Sequence, residues 1–197
     1  MKHGRYLGKR DVAGANRIVA IDLLASVGEM HELEPLAAAA QRVIFCVYNE
    51  IEELRLRARV DEFEIATRDA GHDWFLFDLT DTFAAWLSTQ RYAESYFQKP
   101  SLLVTLLPQY LVYIADQFSA FLKEASAGDN SVVALKGVGS LFGLVKAKGV
   151  VDKLAPMVKG RLVVFFPGTF ENNNYRLLDG YDGWNYLAVP ITADKDV

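Results

Sequence analysis

Five short runs of mostly apolar residues, spaced through the chain with helical stretches between them, constrain the fold more than any other feature. They are RVIFCVYN (42–49), DWFLFDLT (73–80), SVVALKGVG (131–139), RLVVFFPG (161–168) and WNYLAVPI (184–191). Each is dense in β-branched and aromatic residues. The first has apolar residues on both faces, as a strand buried within a parallel sheet requires. Strands that alternate with helices build βαβ units. The expected fold is therefore a single three-layer α/β domain. It has a mostly parallel sheet of about five strands flanked by helices, in a Rossmann-like or degenerate P-loop-like arrangement.

The intervening stretches read as follows. Asn49 suits a helix N-cap, with Glu52 three residues on in a capping-box pattern. Glu53 and Arg57 stand four apart as an exposed pair, and Gly71 supplies a stop. DTFAAWLSTQRYAESYF reads as helix. Pro100 and Pro108 punctuate the middle, after which Leu111, Ile114, Ala115, Phe118, Phe121 and Leu122 share one helical face. SLFGLVKAKG and VVDKLAPMVKG suggest a helix broken at Gly149 and resumed, or two short helices. Residues 1–41 are expected to form a helical lead-in (EPLAAAAQ carries the propensity), and residues 42–197 the α/β domain.

Composition narrows the function classes. The 197 residues carry a net charge of −4, which lacks the electrostatic footprint of a dedicated nucleic-acid binder. The lone Cys46 cannot form an internal disulfide and reads as a small core residue. No apolar h-region follows the basic start, and the longest apolar stretch, LLVTLLPQYLVYIA, is too short for a membrane span. The expectation is a soluble, cytoplasmic protein without membrane contact.

No catalytic set emerges, so the expectation is no enzyme and no cofactor. His3, His31 and His72 are scattered without ligand spacing, and neither G-x-S-x-G nor G-x-x-x-x-G-K-[ST] occurs. Asp78 ends its strand as a metal-holding aspartate would. Without a phosphate loop it reads as a strand-end residue that bonds a backbone amide or caps the next helix. Gly137, Gly139 and Gly143 follow the third strand. They serve either a phosphate at a helix start or a tight turn with close packing. Lys136, Lys146, Lys148, Lys153, Lys159 and Arg161 crowd one region with only Asp152 opposing. They form either a patch for phosphate or an acidic partner, or a solvated helix face.

The fourth run is expected to stop at Pro167-Gly168, since proline cannot extend a ladder and glycine allows a bend. The polar stretch that follows would emerge as a loop at the carboxyl end of its strand, where open α/β sheets bind ligands and partners. The turn KGVG would lie at a neighbouring strand end. Gly137, Gly139, Pro167, Gly168, Asn172, Asn173, Asn174, Tyr175 and Arg176 are thus expected to form one rim. Tyr175 and Arg176 are its contact residues, since Tyr and Arg are enriched in hot spots. Replacing both with alanine should then spare the melting temperature.

KGVGSLFGLVKAKGVVDKLAP followed by RLVVFFPGTF resembles the BrxB family of bacteriophage-exclusion (BREX) defence systems. That family's turn is G-V-G before an apolar-aromatic helix start, often with a proline and an arginine. Its next strand ends F-F-P-G with an aromatic residue one position on. Here Gly137, Val138 and Gly139 match, as do Phe165, Phe166, Pro167, Gly168 and Phe170. Gly143 stands where the proline is common, and Lys146 where the arginine is. The resemblance covers residues 42–191. It implies a phage-defence role beside other BREX proteins, including a methyltransferase, an ATPase and an alkaline-phosphatase-like PglZ protein. A non-catalytic accessory or assembly subunit that contacts PglZ, without sequence-specific nucleic-acid binding, is the expectation. The alternative is a nucleotide- or nucleic-acid-binding module that uses the 137–143 turn and neighbouring lysines.

Overall fold

The structure is a computed structural model and describes residues 42–180 and 183–192. The proposed lead-in of residues 1–41 lies outside the described residues. The sheet contains β1 (Val43–Tyr48), β2 (Asp73–Asp78), β3 (Ser131–Lys136), β4 (Arg161–Glu171) and β6 (Val189–Thr192), in the order β2-β3-β4-β1-β6. Every neighbouring pair on that path is parallel. A further strand, β5 (Asn174–Leu177), pairs antiparallel with the far end of β4. The mostly parallel three-layer α/β architecture read from the alternation is thus the one observed.

Strand pleating explains the two-sided apolar runs. Val43, Phe45 and Val47 of β1 join Leu162, Val164 and Phe166 of β4 in the larger core. Ile44 and Cys46 join Val163 and Phe165 in a smaller core on the opposite face. Burial raises the Cys46 thiol to about 12, which keeps it protonated and inert.

The connection from β1 to β2 runs through α1 (Glu53–Arg57) and α2 (Val60–Asp69), whose Leu56, Val60 and Phe63 pack on the smaller core. Asn49 does cap this start: its Oδ1 accepts from the Ile51 N–H at 3.0 Å. The capped turn is a 3-10 helix (Glu50–Glu52), and Glu52 pairs with Arg55. Gly71 ends the unit with φ +86°.

The stretch expected as one helix after β2 is two, α3 (Thr82–Ser88) and α4 (Ala93–Gln98), followed by a 3-10 segment (Pro100–Thr105). Then α5 (Leu107–Glu124) buries Tyr110, Ile114, Ala115 and Phe118 against the larger core, on the predicted face. Between β3 and β4, a 3-10 turn (Val138–Leu141) precedes α6 (Ala147–Leu154). The helix runs through Gly149; the break falls before Ala147 instead.

Two further expectations are corrected. β4 does not stop at Pro167-Gly168 but continues to Glu171. Proline is tolerated there because β3 last pairs with β4 at Leu135↔Val164, and Tyr48, opposite Pro167, is the final residue of β1. The last apolar run is only partly a strand: Val189–Thr192 joins the sheet, while Trp184 bridges to Tyr175.

Candidate functional site

At the carboxyl ends of β1 and β4, neighbouring strands send their chains to opposite faces. The connection leaving β1 packs on the smaller core, and the β4–β5 hairpin packs on the larger one. Such a divergence is where open α/β sheets bind their ligands and partners.

The glycine turn after β3 is fixed by the turn after β2. Gly137 is left-handed (φ +78°), and a Cβ there would meet Thr80 Oγ1 at 2.5 Å and Thr80 N at 2.7 Å. Asp78 Oδ1 accepts from the Thr80 N–H at 2.9 Å and from the Thr80 hydroxyl at 2.6 Å. Its Oδ2 pairs with Lys136 Nζ at 2.9 Å across the β2–β3 register. Ser140 Oγ donates to the carbonyls of Leu79 and Gly137. Partial burial pulls the Asp78 carboxyl upward, but the two Thr80 donors and Lys136 outweigh it and hold it below its usual range.

The same turn touches β4. A Cβ on Gly139 would stand 3.4 Å from Pro167 Cγ and 3.9 Å from Leu178 Cδ2. The Leu178 N–H donates to the Pro167 carbonyl at 2.8 Å, which holds Leu178 at φ +53°. Gly137, Gly139, Pro167 and Gly168 therefore belong to one continuous set of contacts. Lys146 stands further along, at the N-cap position of α6, with its side chain exposed.

Beyond the rim, β4 and β5 form a hairpin whose two turn residues, Asn172 (φ 51°) and Asn173 (φ 62°), are both left-handed. That is the pattern of a type I′ turn, whose twist matches the strands it joins. Phe170↔Tyr175 and Gly168↔Leu177 point to one side, and Thr169↔Arg176 and Glu171↔Asn174 to the other. Gly168 lies under the β5 backbone: a Cβ there would fall 1.9 Å from the Arg176 carbonyl oxygen.

The predicted contact pair is split by this pleat. Tyr175 is fully buried, with its ring 4.5 Å from Phe45, 4.5 Å from Phe170 and 5.4 Å from Trp184. Its backbone exchanges both hydrogen bonds with Trp184, at 2.9 and 3.0 Å. Burial pushes its phenol well above the usual range. Tyr175 is a core residue, and the expectation of an exposed Tyr175 is corrected. Arg176 is on the outer side, exposed, and its guanidinium passes over Gly183 at 3.4 Å from where a Cβ would be.

A polar chain at the end of β1 carries no signal in the sequence beyond Glu53 and Arg57 themselves. The Tyr48 hydroxyl donates to Glu53, and Glu53 pairs with Arg57 at 2.6 Å. Burial first, then Glu53, raises the Tyr48 phenol far above its usual range. Thr80, Ser140, Leu178 and Gly183 were equally invisible. The hairpin left a signal: residues 168–177 alternate in polarity around an Asn-Asn pair, and asparagine tolerates the left-handed backbone a two-residue hairpin turn needs. Asp78 does what its strand-end position suggested, bonding a backbone amide.

A family model described as "BREX protein BrxB" matches residues 77–190. The chain belongs to the BrxB family. The match begins one residue before Asp78 and ends at Pro190, so it encloses both turns and the hairpin. Membership makes this BrxB chain a component of a BREX phage-defence system. No curated protein and no solved structure matches it.

Proposed function

We propose that this BrxB protein is a non-catalytic assembly subunit of its BREX complex, acting in the cytoplasm through protein contacts, with the PglZ-type protein as partner. One observation carries the reading. The two motifs that carry the family resemblance, G-V-G and F-F-P-G, meet where Gly139 approaches Pro167, and the close approaches at Gly137 and Gly168 are already taken up. Thr80 and the Arg176 carbonyl occupy the places where Cβ atoms would stand on Gly137 and Gly168. That motif pair builds a rigid base for the hairpin. The hairpin then presents Thr169, Glu171, Asn174 and Arg176 outward as the contact face.

The position of Asp78 speaks against the rival nucleotide site. Its carboxylate lies beside the glycine turn, where a phosphate would meet like charge. Strand addition is also a poor route to a partner. At one outer edge Arg68 donates to the Trp74 carbonyl at 3.3 Å, and the other outer strand carries Pro190.

The test is co-purification with the PglZ-type subunit from cells carrying the whole system. Arg176→Ala with Asn174→Ala should abolish capture while the melting temperature moves by no more than about 1 °C. Normal capture by that variant would sink the reading. A nucleotide at large excess that raised apparent stability by about 2 to 4 kcal/mol would favour the rival instead.

A further inference from the structure

The segment that closes the sheet beside β1 is weakly held by its own strand. β6 pairs with β1 alone, at four register positions, and one of them is Pro190, which has no N–H to give a ladder. On its other side β1 meets β4 at six positions. Among residues 183–192 only Ile191 is buried, and Leu187 is 76% exposed. Few ladder bonds and little apolar burial put this segment at the low end of local stability.

Two aromatic residues hold it instead. Trp184 exchanges both backbone hydrogen bonds with Tyr175 of the hairpin, at 2.9 and 3.0 Å. Its ring lies 5.4 Å from Tyr175, 5.7 Å from Phe45 and 6.1 Å from Phe166. Tyr186 packs on Trp184 and on Phe45, each at 5.7 Å, and Lys148 Nζ of α6 stands over its ring at 5.7 Å. Trp184 thus serves two elements: it fastens the segment to the hairpin, and it shares Phe45 and Phe166 with the hairpin's own Tyr175.

We infer that residues 184–192 form a strap that opens together with the β4–β5 hairpin, ahead of the rest of the sheet, with Trp184 as the latch between the two. Opening takes Ile191 away from Cys46, which stands opposite it in the register and beside it in the smaller core. It also leaves the outer edge of β1 unpaired. The hairpin and that edge therefore answer to each other: whatever steadies the first steadies the second, and by the same factor in reverse. Where the outward side of the hairpin is the contact face, a bound partner would also tighten the strap. That consequence rests on the function proposed above; the latch itself does not.

Cys46 is the only cysteine of the chain, so its thiol reports the opening without an added probe. In the full chain under native conditions, thiol labelling should pass through an opening whose free energy falls with urea less than about half as steeply as that of global unfolding, because a strap and a hairpin expose little surface. Hydrogen exchange should give peptides covering 168–177 and 184–192 one common opening, easier than that of peptides covering β2 and β3. Trp184→Ala should speed thiol labelling and the exchange of both peptides at least about tenfold, and by the same factor, since every one of them needs the latch undone. Leu187→Ser, in the strap but already in water, should leave all three within about twofold. Labelling as steep in urea as global unfolding, or separate openings for strap and hairpin, would overturn the inference even if Trp184→Ala failed to fold. Strap exchange that Trp184→Ala leaves unmoved would overturn the role of Trp184. Partner capture enters none of these readouts, so the strap and the contact face fail separately.

Discussion

The hairpin beyond β4 and the excursion between β2 and β3 are two additions to the same sheet, and they treat their aromatic residues in opposite ways. The hairpin turns Phe170 and Tyr175 inward onto Phe45 and Phe166 and shows solvent a polar side. The excursion anchors itself with Tyr96 and leaves Phe97 and Tyr92 outside. Both are rich in the residue types that dominate interfaces. Only pleat and anchoring decide which of those residues are energy for the fold and which are free for a partner. Tyr175 shows how misleading residue type alone can be: it is a hot-spot residue by chemistry and a core residue by placement.

Gly168→Ala should separate the regions most sharply. A methyl group 1.9 Å from the Arg176 carbonyl cannot be absorbed by a side-chain shift. The hairpin must move and take Tyr175 with it, at a cost above about 4 kcal/mol. Urea denaturation measures the loss, and hydrogen exchange should show amides 174–177 deprotected. An unchanged midpoint would mean that the hairpin is not seated as described.

Tyr175→Ala comes next. Removing a fully buried ring with four aromatic neighbours should cost about 3 to 4 kcal/mol. Tyr175→Phe should cost less than about 1 kcal/mol, because the hydroxyl reaches the Ala188 carbonyl only at 3.5 Å. The pair of variants asks whether the ring or the hydroxyl matters. A larger loss for phenylalanine than about 1 kcal/mol would transfer the weight to the hydroxyl. Since Tyr175 belongs to the core, a variant lacking it reports on folding, and Arg176 and Asn174 carry the binding test.

Gly137→Ala should lose about 2 kcal/mol, from left-handed backbone strain and the approach to Thr80. It should loosen the rim and the first residues after β2 at Thr80, while sparing α4 and the 3-10 segment that follows it. Phe97→Ser is the counterpart, expected within about 0.5 kcal/mol of the parent because the ring is already in water. If Phe97→Ser cost as much as Tyr175→Ala, the contrast between the regions would collapse.

The smallest effect is one of pH. Asp78 is held below its usual carboxylate range when folded, so its contribution is present above about pH 4, the unfolded value, and is lost as pH falls through the lower folded value. The side chain is 44% exposed, so solvent screening keeps the effect small. Asp78→Asn should flatten the acid side of the stability profile below about pH 4 without altering its neutral plateau by more than the pair with Lys136 contributes. A profile that keeps its acid slope would mean that other carboxylates set it.

The amino-acid sequence by itself determined the strands β1 to β4, the buried character of β1, β3 and β4, and the three-layer class; β2, an outer strand, buries only Trp74 and Phe77. Apolar density, β-branching and alternation with helices are local properties, and a parallel sheet covered on both faces hides such runs. It also located the two family motifs and placed Asp78 at a strand end. What only the tertiary structure decided is how those pieces meet. Whether Pro167 ends a strand depends on where β3 and β1 run out beside it, which no local propensity encodes. Whether Tyr175 faces a partner or the core depends on a one-residue register in the hairpin, since a shift of one flips every side chain to the other face. Leu178 holds its left-handed backbone because Pro167, eleven residues earlier in the chain, accepts its N–H. The strand order, too, arises from packing both cores at once: β4 sits between β3 and β1 because its two faces complete the larger and the smaller core together.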